Sequence, residues 1–211
     1  MMMLSISKSV FNFDNELRKG NFRKNSKKIQ TLELLNKNIL IAGFGRIGRS
    51  LIKKCLAFDM KVSVYDPFVD EKTVNSFGGN KVNNLIDGLE KCDYLSIHMP
   101  LNQKTKNLIN YDTIKKMKKS AILINTARGG IINESDLNKA LNEKILFGAG
   151  LDVFEHEPIN KDNPLIQNTK VILSPHIATN TDECLSRMSV ETIKNIVEFF
   201  DNKIDKSMIV K

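Results

Sequence analysis

Residues 38–58 read NILIAGFGRIGRSLIKKCLAF, and this stretch decides the fold. The run NILIA is short and apolar, as a strand buried on both faces requires. Behind it, Ile47, Leu51, Ile52, Cys55 and Leu56 recur at helical spacing. Between strand and helix stand Gly43, Gly45 and Gly48. Three glycines also serve ordinary turns, but strand, GxGxxG and helix in that order is the arrangement that holds a dinucleotide pyrophosphate. Gly43 permits the tight turn, Gly45 lets the backbone approach the phosphates, and Gly48 lets helix and strand pack closely. The N–H groups and positive dipole end of the helix then face the anion.

Working outward, KVSVYD (61–66) reads as the next strand and ends on Asp66, about 20 residues on, where such a turn expects an acid. A carboxylate there can accept both adenosine ribose hydroxyls and repels a 2′-phosphate, which favours NAD over NADP. The plainer reading of Asp66 is a strand-end turn residue ahead of Pro67.

The pattern then repeats. Residues 83–91 form a candidate short helix, followed by the strand YLSIHMP (94–100), the helix 110–119 and the strand AILINTA (121–127). A helix over 133–144 and strands at 146–154 and 170–177 follow, and an amphipathic helix of about 181–201 closes the chain. Alternating strands and helices predict an α/β fold, a doubly wound parallel sheet of Rossmann type with helices on both faces. Right-handed crossovers place every strand's C-terminal end, and so any site, along one edge.

The composition narrows the function classes. The chain has 211 residues, 41% of them hydrophobic, enough for one core with appendages. It contains no run of 18 apolar residues, so no membrane span is expected. The start MMMLSISKSVFNFDNE lacks a charged n-region and a cleavage site, so it is not read as a signal peptide. Cys55, Cys92 and Cys184 show no CxxC spacing; reduced thiols, a cytoplasmic location and no metal site are expected. Lys+Arg 32 against Asp+Glu 24 gives +8, but the lysines are scattered. The one basic cluster, RKGNFRKNSKK (18–28), has no aromatic interleaving and reads as a solvated linker, so no nucleic-acid partner is expected.

Three histidines are available. His98 precedes Met99 and Pro100 and reads as a cofactor-mouth or packing residue, and His156 as a solvated side chain. His176 closes the apolar strand VILSP and should project at the sheet's C-terminal edge, the best position for a proton carrier. INTARGG (124–130) delivers Arg128 to the same edge, and GAGLDVFEHEP (148–158) delivers Asp152 and Glu157. A guanidinium offers a planar fork to a substrate carboxylate. A carboxylate beside an imidazole favours its protonated form and fixes its orientation. Taken singly, Arg128 could be a surface cation and Glu157 a turn residue.

Taken together, GFGRIG with Asp66, HMPL (98–101), NTARGG, LDVFEHEP and SPHIA match in order and spacing the D-isomer-specific 2-hydroxyacid dehydrogenases. The resemblance covers about residues 15–200, and YDPF (65–68) is most similar to the phosphoglycerate dehydrogenase branch. It implies NAD as cofactor and a small 2-hydroxy or 2-oxo acid as substrate. It implies Arg128 on the substrate carboxylate and carbonyl oxygen, His176 as general acid/base and Glu157 as its partner. It further implies Asp152 at the nicotinamide carboxamide, Arg46 and Ile47 at the pyrophosphate, and Met99, Thr126 and Ala127 along the cofactor cleft. Ala178 and Thr179 stand where the family usually has small glycines.

The family has two lobes, and the first is not represented. Residues 1–29 are therefore expected to be an inter-lobe helix and linker, 30–179 the NAD-binding domain, and 180–211 a helix that would return to the other lobe. That implies a truncated form, with an exposed apolar face on residues 1–13 and on the last helix, and a homodimer. The alternative function is a non-catalytic NAD-binding dimerisation or redox-sensing module.

Overall fold

The computed structural model describes residues 1–23, 26–206 and 209. Lys24 and Asn25 of the basic cluster, and four of the last five residues, lie outside the described residues.

Seven strands, β1 (Asn38–Ala42), β2 (Lys61–Tyr65), β3 (Asn80–Lys81), β4 (Tyr94–Ile97), β5 (Ile122–Asn125), β6 (Gly148–Leu151) and β7 (Val171–Leu173), form one sheet in the order β3-β2-β1-β4-β5-β6-β7. Every pairing is parallel, as the βαβ alternation required. The order reverses between β1 and β4, so a crevice opens there at the carboxyl ends of the strands.

The strands alternate between two cores, one on each face. Ile39 and Ile41 point to one face, where α3 (Arg46–Leu56) contributes Ile52 and Cys55, and α4 (Glu71–Ser76) contributes Val74. Leu40 and Ala42 point to the other, where α5 (Leu85–Lys91), α6 (Tyr111–Ile114) and α7 (Glu134–Asn142) supply Leu89, Ile114 and Leu137. The fold is the doubly wound α/β sheet expected from the sequence. Burial pushes the Cys55 thiol up to about 11 and the Cys92 thiol up to about 12, and both are free cysteines.

Some boundaries differ. The helix expected over 110–119 stops at Ile114, because Lys116 and Met117 donate to carbonyls only three residues back, and Met117 turns into the core. The strands at 94–100 and 170–177 end at Ile97 and Leu173. The short α4, capped by the Asp70 carboxylate on Thr73 N–H, and the two-residue β3 have no periodicity to announce them.

The exposed apolar face expected over residues 1–13 is only partly present. Helix α1 (Met2–Ser7) buries Met2 and Ile6, and a left-handed Ser9 (φ 49°) separates it from the exposed α2 (Val10–Arg18). The cause lies in β6. A Cβ at Gly148 would come within 2.9 Å of Ile6, and one at Gly150 within 2.9 Å of Met2. The two glycines leave a hollow that the side chains of α1 fill. Ser7 Oγ, also buried, lies 2.8 Å from Tyr94 Oη.

Met1–His176 form one unit, and Ile177–Lys211 a second. The second carries α8 (Asp182–Phe200), whose Leu185, Met188, Ile193, Ile196, Val197 and Phe200 are all exposed, as expected. Among the described residues, no helix is long and apolar enough to cross a membrane.

Candidate functional site

The glycine turn joins β1 to α3. Gly43 has φ +101°, and a Cβ on it would stand 2.6 Å from the His98 carbonyl carbon and oxygen. A Cβ on Gly48 would stand 2.4 Å from Gly43 O. Both contacts demand glycine. Gly45 differs: a Cβ there would meet nothing within 4 Å. The protein itself gives no reason for a glycine at 45; the open space in front of it does. No side chain caps α3, whereas Asp70, Asn84, Asn110, Asn133 and Thr181 cap α4 to α8. An open face before an uncapped helix start fits the pyrophosphate of a dinucleotide. Arg46 and Ile47 are exposed beside it.

The peptide of Phe44 is held on both sides. Its N–H donates to Asp66 Oδ2 at 2.7 Å, and its carbonyl accepts from Arg49 Nε at 3.1 Å. The Arg49 guanidinium also lies 5.6 Å from the ring centres of both Phe44 and Phe77. Asp66 Oδ1 accepts from Phe68 N–H at 2.9 Å. Asp66 therefore shapes the turn. Arg49 went unread in the sequence; the only signal was a second arginine in GRIGR.

At the exit of β4, Ser96 Oγ and His98 Nε2 are 2.8 Å apart. Burial pushes the His98 imidazole down to about 4, so it is neutral near pH 7. Met99 follows it, buried beside Gly43.

At the exit of β5, the buried Asn125 folds the next loop. Its Oδ1 accepts from Ala127 N–H at 3.0 Å, and its Nδ2 donates to Arg128 O at 2.9 Å. Thr126 and Ala127 are half-buried and Arg128 is exposed, with its Nη1 on Ala127 O at 2.6 Å. The following Gly129 presses on the next loop: a Cβ there would lie 1.7 Å from Phe154 O. Asn125 and Gly129 were not singled out in the sequence, and both set where Arg128 stands.

At the exit of β6, Asp152 is buried, and its Oδ1 accepts from Ser174 Oγ. Further along, Glu157 Oε1 accepts from Phe154 N–H at 3.0 Å, and Glu157 Oε2 lies 2.7 Å from His176 Nδ1. The hydrogen bond to His176, then the Phe154 N–H, holds the Glu157 carboxyl below its ordinary value. His176 has φ 53°, a left-handed backbone uncommon outside glycine, and its ring is half exposed. The structure thus joins Glu157 to His176 directly. It brings Arg128 to the neighbouring strand exit, on a loop packed against that of Glu157. His156 is exposed.

The family model for the D-isomer specific 2-hydroxyacid dehydrogenase NAD-binding domain matches residues 1–178. The chain belongs to this family. Among its relatives in the D-2-hydroxyacid dehydrogenases, the glyoxylate reductase of Thermofilum pendens is 35% identical across 100% of this chain and 62% of its own length. The D-3-phosphoglycerate dehydrogenase of Methanocaldococcus jannaschii is 36% identical over 86% of this chain and 34% of its own. In the crystal structure of D-lactate dehydrogenase from Aquifex aeolicus with NAD and lactic acid, the match is 32% identical with TM-score 0.85, over 96% of this chain and 64% of that one. The chain thus spans between about a third and two thirds of these dehydrogenases.

Proposed function

We propose that this chain supplies the cofactor-binding and proton-handling parts of an NAD-dependent D-2-hydroxyacid dehydrogenase. The reaction interconverts the CH–OH of a small D-2-hydroxy acid and the corresponding 2-oxo acid. One observation carries the reading: the Glu157–His176 pair, 2.7 Å apart, stands on the same sheet edge as the open glycine turn.

When bound, NAD supplies the acceptor and donor of the hydride. Gly45 and the start of α3, with Arg46 and Ile47, receive the pyrophosphate, and Asp66 takes the adenosine ribose and disfavours a 2′-phosphate. Met99, Thr126 and Ala127 line the cleft, and Asp152 meets the carboxamide. Glu157 engages His176 Nδ1, which leaves Nε2 to face the substrate hydroxyl. In oxidation that nitrogen takes the hydroxyl proton, and the Glu157 carboxylate stabilises the imidazolium formed. In reduction it returns the proton to the carbonyl oxygen. Arg128 turns its fork from Ala127 O to the substrate carboxylate and carbonyl oxygen, fixing C2 for transfer. The substrate class is that of glyoxylate, hydroxypyruvate or phosphoglycerate, and the setting is cytoplasmic.

The test pairs NADH calorimetry with a hydride-transfer assay on glyoxylate and hydroxypyruvate. His176→Asn is expected to leave NADH binding within about threefold and to lower turnover by two or more orders of magnitude, the usual worth of a general acid/base. Near-normal turnover in that variant would overturn the assignment. A second reading, a non-catalytic NAD-binding dimerisation or redox-sensing module, draws support from the exposed apolar residues of α8. It predicts tight NADH binding, a homodimer in sedimentation and no turnover.

A further inference from the structure

We propose that Glu134 is the positioning residue that sets the Glu157 carboxylate against His176, by tying the start of α7 to the 153–157 loop. The proposal rests on the acid/base reading of Glu157 and His176 given above.

Glu134 is one of two carboxylates buried in the described residues, at 8% exposed; the other is Asp152. It opens α7, five residues after Gly129. Its backbone N–H donates to Glu155 Oε1 at 2.8 Å. Its own Oε1 accepts from Glu155 N–H at 2.5 Å, and its Oε2 accepts from Asn163 Nδ2 at 2.6 Å. The two glutamates thus exchange reciprocal backbone–side-chain bonds, and Asn163 holds the far oxygen. A carboxylate out of water is stable only with such partners, so the arrangement is all or none.

The geometry shows what this lock controls. Glu155 lies between Phe154, whose carbonyl faces Gly129 and whose N–H bonds Glu157 Oε1, and Glu157 itself. Fixing the Glu155 N–H fixes the peptide plane it shares with the Phe154 carbonyl, and so the point from which the chain turns to Glu157. The loop has no regular secondary structure of its own, so its shape depends on tethers of this kind. Glu134 also ends the segment that begins at Arg128. One side chain therefore sets the spacing between the guanidinium loop and the carboxylate–imidazole pair. The charged groups facing Glu157 are His176, which holds its carboxyl down, and Asp152, which pushes it up. If the loop loosens, the His176 and Phe154 hydrogen bonds lengthen and the Glu157 carboxyl returns upward.

The test follows the Glu157 side-chain carboxyl by carbon-13 NMR, assigned by its loss in Glu157→Gln, in the full chain without substrate. In Glu134→Ala the Glu157 titration midpoint is expected to rise by about half a pH unit, the discounted worth of a hydrogen bond to a partly exposed carboxylate. NADH affinity should stay within about twofold, because the glycine turn is remote. Glu134→Gln keeps an acceptor for the Glu155 N–H and should restore most of the midpoint. A folded Glu134→Ala with the parental Glu157 midpoint overturns the proposal. If Glu134→Ala does not fold, Asn163→Ala, which removes the Oε2 partner together with the Asn163 cap on Leu165 N–H, takes its place, and an unmoved midpoint there overturns it equally. Because this readout needs no turnover, it can fail while the His176→Asn test succeeds, and the reverse.

Discussion

Gly129 lies so close to Phe154 that a methyl group on its Cα would penetrate the Phe154 carbonyl, 1.7 Å from the oxygen. Two loops from neighbouring strands meet there backbone to backbone. Neither can yield by turning a side chain. Gly129→Ala is expected to cost about 2–3 kcal/mol of stability and to lower turnover further than the lost stability explains. Urea denaturation and kcat/KM measured at a temperature where the variant is folded would check this.

The glycine turn separates into positions that serve the fold and a position, Gly45, that the proposed function gives to the ligand. Gly48→Ala, with its Cβ 2.4 Å from Gly43 O, should destabilise by about 1–3 kcal/mol. Gly45→Ala meets nothing within 4 Å and has an extended backbone, φ −72°, so its stability should fall by less than about 1 kcal/mol. Its NADH affinity should drop about tenfold or more, since the methyl group occupies the phosphate's space. Thermal melts alongside calorimetry distinguish the two. Equal stability losses in both would contradict the division.

Asp66 accepts from the Phe44 N–H, and the proposed cofactor site gives it a ribose contact as well. Asp66→Asn should narrow the preference for NADH over NADPH, because the repelling charge is gone. It should also weaken NADH, because a rotated amide loses the 2.7 Å bond to Phe44. Arg49→Lys, which cannot stack between Phe44 and Phe77, should weaken NADH and NADPH alike, by a few-fold. Titrating both cofactors against each variant reads the split.

His98 makes the fold sensitive to acid. Its folded value, about 4, lies below the ordinary 6.5, so between those limits the unfolded chain binds the extra proton. Stability from this group is complete above pH 6.5 and is lost as pH falls toward 4, on the order of 3 kcal/mol in total. His98→Asn should flatten that part of the stability profile. Glu157 acts lower. Its carboxyl is held down, so its contribution is present above the ordinary 4.5 and disappears as pH falls through the lowered value. Denaturant midpoints from pH 4 to 8 test the first effect.

The sheet, its two cores and the glycine turn were legible because each rests on a local rule. A short apolar run bounded by turn residues reads as a buried strand, and Gly43, Gly45 and Gly48 between such a strand and a helix have a specific use that isolated glycines lack. The placement of His176 at a strand exit followed from the same logic, and its contact with Glu157 came from the family pattern. What escaped were contacts between segments far apart in sequence. Met2 and Ile6 look like exposed apolar residues until Gly148 and Gly150 open a hollow for them. Arg49 is a cation on a helix until Phe77, 28 residues on, supplies the second ring. Asn125 and Glu134 are polar residues beside a strand and a helix start, and nothing nearby in the chain shows that they fold other loops.

The two deeply placed thiols have a practical consequence. Cys55 sits in the core on one side of the sheet and Cys92 in the core on the other. With their values pushed up to about 11 and about 12, neither offers a thiolate to an alkylating reagent in the native chain. Their capture over hours in native buffer would clock how often each half of the interior breathes open, one sentinel per side.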